Sequence, residues 1–146
     1  MANKTKPRTP LTKDRVLNAA LRLADQGGIE SLSMRKLGQE LGVEAMSLYN
    51  HVANKDEVLD GIVEAVVREV DLPSDGTNWK AALRQHAISA HETLMRHPWA
   101  ASLWWRRAEG PDRMRGAEFM LRALREAGFS EDLTYHGYHV LVGHIL

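Results

Sequence analysis

The chain has 146 residues, no cysteine and a formal net charge of zero at pH 7. Its apolar and charged fractions, 44% and 26%, are those of an ordinary globular protein. The lack of cysteine excludes a disulfide framework and a thiolate zinc site, and it fits a reducing cytoplasm. No apolar run approaches the roughly 18–20 residues of a membrane span, and the polar start of the chain does not resemble a signal peptide.

The charge is divided unevenly along the chain. The first 55 residues hold nine lysines and arginines against five acids, whereas the remainder holds ten against fourteen. A basic first third on an acidic remainder favours a polyanionic partner for one end of the molecule, with chance segregation as the alternative.

Capping and turn residues divide the first half into short helices. Residues 1–11 are predicted to form a flexible basic arm, after which Thr12 caps a helix that ends at Gly27-Gly28. Ser33 is predicted to cap a second, short helix, and Gly42 to end it in the left-handed conformation that glycine adopts at little cost.

A third short helix is predicted over about residues 44–51, and Asn54 is predicted to cap a fourth. The Pro73-Ser74-Asp75-Gly76 run is the clearest boundary signal in the sequence. It divides the chain into two predicted domains, 12–72 and 73–146.

The second half shows only helical signals. Asn78, Pro98 and Ser130 are each predicted to begin a helix, and Gly110-Pro111 separates two of them. No stretch alternates apolar and polar residues as a half-buried strand would, so the predicted class is all-α. Residues 138–146 stay apolar with no stop signal, so we expect that the natural protein continues or that a partner covers this end.

Two short helices joined at Gly42 form the pattern of a helix-turn-helix. The glycine permits the sharp turn, and apolar residues such as Leu37 and Leu48 would hold the helices at a fixed angle. The second helix could then project into a major groove. Many helical hairpins share this pattern, so it is only moderately specific.

The run from Ile29 to Val43, followed by Ser47-Leu48-Tyr49-Asn50-His51-Val52-Ala53-Asn54-Lys55, closely resembles the DNA-binding region of the TetR family. The resemblance is strong over roughly residues 12–72. It continues more weakly through Trp79, His97-Pro98 and Ala127-Gly128-Phe129-Ser130, which resemble the tetracycline-repressor branch.

The resemblance implies a three-helix DNA-binding head, linked by helix 4 to a helical effector-binding and dimerisation domain that is incomplete at its C-terminus. It implies a ligand-responsive transcriptional regulator that binds palindromic double-stranded operator DNA as a homodimer. A repressor is expected rather than an activator. A small, mostly apolar effector would release it. The expected protein has no catalytic activity, no metal and no cofactor, and it acts in the bacterial cytoplasm.

The resemblance also assigns DNA contacts. Arg35 would contact a base edge or a phosphate, whereas Tyr49 and Lys55 would hold phosphates. The alternatives are core packing for Tyr49 and a merely solvated surface for Arg35 and Lys55. Asn50 stands where the tetracycline-repressor branch has an aromatic residue, so we expect a different operator. The predicted set is Ser33, Met34, Arg35, Ala45, Met46, Ser47, Tyr49, Asn50, His51 and Lys55.

The effector site is expected within residues 73–146. Aromatic rings beside one or two polar groups suit a flat, mostly apolar ligand, with plain core packing as the alternative for the tryptophans. The histidine that helps the tetracycline-repressor branch to bind magnesium–tetracycline aligns to about Asp71, so no tetracycline response is expected. The predicted lining is His86, Ala90, Leu94, Trp99, Leu103, Trp104 and Arg107.

Other functional classes have weaker support. His136 and His139 share a helix face, but two ligands without a nearby carboxylate or third histidine make a weak metal signal. The sequence has no nucleophile elbow, no HExxH and no phosphate-binding glycine loop, which argues against an enzyme. The alternative interpretation is a helical metal- or small-molecule-binding interaction module without DNA binding.

Overall fold

The computed structural model describes residues 9–107 and 110–146, which form eight α-helices and no strand, so the predicted all-α class is confirmed. A single 3-10 turn, Ile29–Ser31, joins the first two helices. No helix in this part of the chain is long and apolar enough to cross a membrane. The helices are α1 (Lys13–Gly27), α2 (Met34–Leu41), α3 (Ala45–Leu48), α4 (Lys55–Arg68), α5 (Trp79–Arg96), α6 (Pro98–Trp104), α7 (Pro111–Glu126) and α8 (Glu131–Ile145).

Side-chain caps define the helix starts as predicted. An N-cap oxygen satisfies a backbone N–H that has no partner within its own helix. The capping side chains, each accepting from an amide of the first turn, are those of Thr12, Ser33, Asn54, Asn78 and Ser130.

The predicted basic arm, 1–11, lies mostly outside the described residues, which begin at residue 9. At its described end, the backbone carbonyls of Thr9 and Pro10 accept hydrogen bonds from the guanidinium of Arg15 at 2.6 and 2.9 Å.

Helix α3 is shorter than predicted. The sequence predicted a helix over about 44–51, whereas α-helical bonding is confined to Ala45–Leu48. The amides of residues 49–51 then donate to carbonyls three residues earlier, at 2.9–3.3 Å, which is a tighter winding. This winding places Val52, 2% exposed, in the core, so the prediction of a longer α-helix was wrong.

Helices α1 to α4 share one apolar core, which also includes the end of α5 and the start of α6. Leu37 of α2 and Leu48 of α3 are fully buried in it. Leu94, Trp99 and Ala100 belong to the same cluster, so packing crosses the predicted boundary at residue 73. The division into 12–72 and 73–146 therefore stays a prediction.

A second core lies between α5, α7 and α8. Leu83, Phe119 and Val142 are buried there, and Trp79 packs edge-on against Phe129 with ring centroids 5.4 Å apart. Helix α4 contacts α1 and also α5, α6 and α7. It is therefore the element through which the two cores meet.

Helix α8 exposes much of its apolar surface. Leu133, Tyr135 and Val140 are 58% to 61% exposed. These side chains are available to other parts of an assembly.

Candidate nucleic-acid interface and ligand cavity

The turn between α2 and α3 depends on two glycines. Gly42 has φ 68°, in the left-handed region, and its N–H closes α2 on the carbonyl of Gly38. Gly38 is buried, and a Cβ there would lie only 2.8 Å from the carbonyl oxygen of Val43. The sequence analysis identified Gly42 as the turn residue but gave no role to Gly38, for which a glycine inside a helical pattern was the available signal.

The segment after this turn, residues 45–51, is here called the recognition segment. Met46 is 77% and Tyr49 46% exposed, which is unusual for large apolar side chains, and Asn50 is exposed as well. Ala45, Ser47 and His51 are half-buried. The segment is anchored by Leu48, which is fully buried.

The predicted contact residues of α2 lie at its start. The hydroxyl of Ser33 accepts from the amide of Lys36 at 3.1 Å, so its main role is to cap the helix. Met34 is half-buried and packs against the core of the head. Arg35 is exposed and makes no hydrogen bond within the described chain, which leaves its guanidinium available to a partner.

The start of α4 is fixed to α1. Glu57 accepts from the amide of Ala53 at 2.6 Å and from the Nζ of Lys13 at 2.6 Å. The hydrogen bond from Lys13, with that from the Ala53 amide, lowers the pKa of Glu57. Lys55, in the first turn of the same helix, is exposed. Lys55 therefore stands exposed at a helix start that Glu57 ties to α1, four residues after the recognition segment.

A polar cluster, here called the His97 cluster, joins α1 to the junction of α5 and α6. The two ring nitrogens of His97 lie 2.7 Å from Oδ1 of Asp25 and 3.2 Å from Oε1 of Glu69. The indole N–H of Trp99 donates to the same oxygen of Asp25 at 2.7 Å, and Arg96 donates to Glu69 at 3.1 Å. Because Glu69 is the C-cap of α4, the cluster fixes the end of α4 as well.

A cavity of about 410 Å³ lies between the end of α4, the helices α5, α7 and α8, and the end of α6. Its size is within the range of small-molecule sites. Four of the seven predicted effector residues line it: His86, Ala90, Trp104 and Arg107. The other three pack in the core that α1–α4 share: Leu94, Trp99 and Leu103. His86, Ala90 and Leu94 follow one another at four-residue spacing on one face of α5, and Trp104 also packs against the core, so helical spacing alone did not separate the two sites.

Two polar residues of the cavity are tied to α4 and the loop after it. Nε of Arg107 donates to Asp60 at 2.7 Å, and its two terminal nitrogens donate to the side chain and carbonyl of Asp56 at 3.2 and 3.0 Å. Asp60, and then Asp56, raise the pKa of Arg107. Nδ1 of the buried His86 lies 2.8 Å from the carbonyl oxygen of Asp71, and burial lowers the pKa of His86.

The sequence analysis missed the arginines that α4 and α7 bring to the cavity. Arg68 pairs with Asp112 at 3.0 Å, and Arg115 pairs with the same carboxylate at 3.3 Å. Arg113 lies with its guanidinium 5.9 Å from the centre of the Trp104 ring. The concentration of arginines between 106 and 115 was the signal that could have found Arg113 and Arg115, whereas nothing in the sequence pointed to Arg68.

No group of three or more potential ligands lies close enough to hold a metal ion among residues 9–107 and 110–146. Nδ1 of His136 lies 2.7 Å from the carbonyl oxygen of Asp132, and the ring of His139 packs edge-on against Tyr135. Each of these two histidines therefore has a contact with a neighbouring residue of its own helix.

Comparisons with known proteins agree with this geometry. Residues 16–62 match the family described as bacterial regulatory proteins, tetR family, and residues 72–146 match the tetracyclin repressor-like C-terminal domain. An HTH-type transcriptional regulator of Saccharopolyspora erythraea is 42% identical over 129 residues, which are 87% of this chain and 54% of the relative. The chain spans about half the length of the curated relatives that it matches.

Solved structures of related proteins superpose on most of the chain. The TetR family protein ActR of Streptomyces coelicolor, in complex with actinorhodin, has a TM-score of 0.83 and 34% identity, covering 94% of this chain and 66% of ActR. BioQ with its double-stranded DNA operator has a TM-score of 0.83 and 27% identity, covering 93% of this chain and 84% of BioQ. The helix-turn-helix, the all-helical architecture and the two family matches together show that the chain belongs to the tetR family of bacterial regulatory proteins.

Proposed function

We propose that this protein is a transcriptional repressor whose recognition segment enters the major groove of operator DNA. The observation that carries the proposal is the exposure of Met46, at 77%, on a segment that the buried Leu48 fixes to the head. An apolar side chain in this position can contact thymine methyl groups. The structure of BioQ with its operator supports the same use of a related fold. Because the partner is genomic DNA, the proposed place of action is the cytoplasm, at the nucleoid.

Within this proposal, the predicted contact residues divide into two classes. Arg35, Ala45, Met46 and Ser47 would face base edges, and the first of these suits the two acceptors of guanine. The other class would hold the phosphate backbone and fix the register of docking: Tyr49, His51 and Lys55. Asn50, exposed on the same segment, belongs to the predicted contact set without an assignment to either class. Ser33 and Met34 serve mainly to position this surface, since one caps α2 and the other packs on the core.

The proposed active form is a homodimer on a palindromic operator. Two heads must reach major-groove half-sites about 34–36 Å apart on one face of the duplex, so a shift of a few ångströms between them abolishes simultaneous docking. A ligand that prefers the misaligned state would therefore release the protein from DNA, with typical couplings of about 1–3 kcal/mol.

The proposed effector site is the cavity beside α4. Its walls include the end of α4, and Arg107 and the His97 cluster connect the neighbouring α5–α6 segment to that helix. A ligand bound there can therefore change the position of α4. ActR, which has a similar fold, was solved with actinorhodin bound.

The proposed DNA binding is tested by selecting an operator from random duplexes and measuring its affinity for the protein against salt. Arg35→Ala should weaken binding by about 1–3 kcal/mol and relax sequence preference, whereas Lys55→Ala should weaken binding to all sequences and reduce the salt slope by about one. Lys80→Ala, which removes an exposed charge from α5, is the control and should change neither. Equal loss on all sequences for both head variants would contradict the base-reading role of Arg35.

The effector role is tested with small molecules that co-purify with the protein or raise its melting temperature. Trp104→Ala should raise the effector concentration that is needed to release the operator, because Trp104 lines the cavity. Unchanged release would assign Trp104 to the core alone.

A further inference from the structure

The cavity contains a hydrogen-bond acceptor without a partner in the described chain. Nδ1 of His86 faces the carbonyl oxygen of Asp71, which can only accept, so Nδ1 carries the proton. Burial favours the neutral ring by lowering the pKa of His86, and the other nitrogen, Nε2, is then a bare acceptor. That edge of the ring faces Gly116 of α7, where a Cβ would lie 3.9 Å from Nε2, so no side chain from this position covers it.

The cavity also contains more arginines than acids. The guanidinium groups of Arg68 and Arg115 share Asp112. Arg107 is neutralised by Asp56 and Asp60. These pairs leave Arg113 and the exposed Asp71 as the remaining charged groups of the lining. Four arginines face the cavity against two aspartates.

Arg113 is the arginine of the lining that forms no ion pair with a described carboxylate. It donates one N–H to the carbonyl of Arg107 at 3.0 Å and pairs with no carboxylate of the described residues. Its guanidinium lies 5.9 Å from the centre of the Trp104 ring, a geometry that holds the planar group beside an aromatic wall. The half-buried position limits the screening of its charge by water.

The two features lie close to each other on one wall. Arg113 and Gly116 are three residues apart on α7, which is about 5 Å along the helix axis, so they share a face. The lining around them includes the indole ring of Trp104 and the apolar side chains of Met120 and Val142. A ligand that fills this space can therefore reach both Arg113 and the ring of His86.

We propose that the effector is a planar aromatic acid that also carries a hydroxyl group. Its carboxylate pairs with Arg113 beside Trp104, and its hydroxyl donates to Nε2 of His86. This inference rests on the proposed role of the cavity as the effector site, and it adds the chemical class of the ligand.

The test measures binding of three probes to the full chain by calorimetry at pH 7.5. They are 6-hydroxy-2-naphthoate, 2-naphthoate, which lacks the hydroxyl, and 2-naphthol, which lacks the acid. We expect 2-naphthol to bind about tenfold more weakly than 6-hydroxy-2-naphthoate, because a hydrogen bond to a charged group is lost. Loss of the neutral hydroxyl contact should weaken 2-naphthoate about threefold to tenfold.

Variants assign each contact to its residue. Arg113→Met should weaken both acids about tenfold and leave 2-naphthol unchanged. His86→Asn keeps a donor for the carbonyl of Asp71 but removes Nε2, so it should abolish the advantage of 6-hydroxy-2-naphthoate over 2-naphthoate. Arg122→Met, on the same helix but outside this cavity, is the control and should change none of the affinities.

Three results overturn the inference: equal binding of 2-naphthol and the acids, loss of acid binding in the Arg122 variant to the same extent as in the Arg113 variant, or no binding of any probe. Retention of the protein on operator DNA is measured on the same preparations. If the acids fail to bind while a neutral compound releases the operator, the effector role of the cavity stands and only the ligand class is wrong.

Discussion

Arg107 offers the sharpest test of how the cavity is connected to the head. Arg107→Met removes three hydrogen bonds to α4, at 2.7, 3.0 and 3.2 Å, and keeps most of the aliphatic packing of the side chain. The Arg107 side chain is 17% exposed, Asp60 41% and Asp56 76%. The contact with Asp56 is therefore largely screened, and most of the effect should come from Asp60.

The expected loss is about 1 kcal/mol in the free energy of unfolding. A hydrogen bond to a charged group contributes about 1.5–3 kcal/mol when buried, and the partial exposure of both partners reduces this figure. For a chain of this size, the melting temperature should fall by roughly 2–4 °C. Helicity followed by circular dichroism in urea and on heating gives both quantities, and Arg106→Met, at an exposed neighbour, is the control.

A double-mutant cycle isolates the contact itself. Arg107→Met and Asp60→Asn should each destabilise the protein, and the double variant should lose less than the sum, with a coupling energy of about 1 kcal/mol. Additivity to within about 0.3 kcal/mol would refute the view that this contact holds α4. If the contact also transmits ligand binding, the Arg107 variant should bind effector yet be released from operator less completely than the unaltered protein.

Three further predictions concern other parts of the structure. Gly38→Ala places a Cβ 2.8 Å from the Val43 carbonyl, so it should cost about 1–3 kcal/mol and weaken operator binding; unchanged urea unfolding and DNA retention would contradict the close approach. Leu37→Ala removes a fully buried side chain and should cost about 2–5 kcal/mol in urea unfolding, and a loss below 1 kcal/mol would mean that the core repacks. The folded-state pKa of His86 lies below its ordinary value of 6.5, so the unfolded chain binds more protons and stability should fall as the pH falls below 6.5. His86→Gln should remove this component in melts between pH 7.5 and 5, whereas an unaltered pH dependence would assign it to other groups.

The head could be predicted in detail because its signals are local. Thr12, Ser33 and Asn54 cap amides only three residues away, and Gly42 closes the preceding helix by its own backbone conformation. Such contacts depend on the sequence within one turn, so pattern and propensity suffice to find them. The exception was the extent of α3, which is set by the burial of Val52 rather than by helix propensity.

The cavity could be predicted only in part because its defining contacts join distant residues. Arg107 and Asp60 are 47 residues apart, and His97 and Asp25 are 72 apart. Helical spacing showed that α5 and α6 carry buried faces, but it did not show that Trp99 belongs to the core of the head while Trp104 packs on that core and also lines the cavity. That distinction depends on which distant helices pack against each side chain once the chain has folded.

The His97 cluster and the Arg107 contacts have a mechanical consequence when they are considered together. Helix α4 is clamped near its beginning by Arg107, through Asp60, and just past its end by the His97 ring, through Glu69. Both contacts are made by one short segment, residues 96–107. A movement of this segment should therefore be transmitted to α4 at two positions, one near each end of the helix. Such a movement should tilt α4 together with the attached head, and α4 should stay straight between the two contacts.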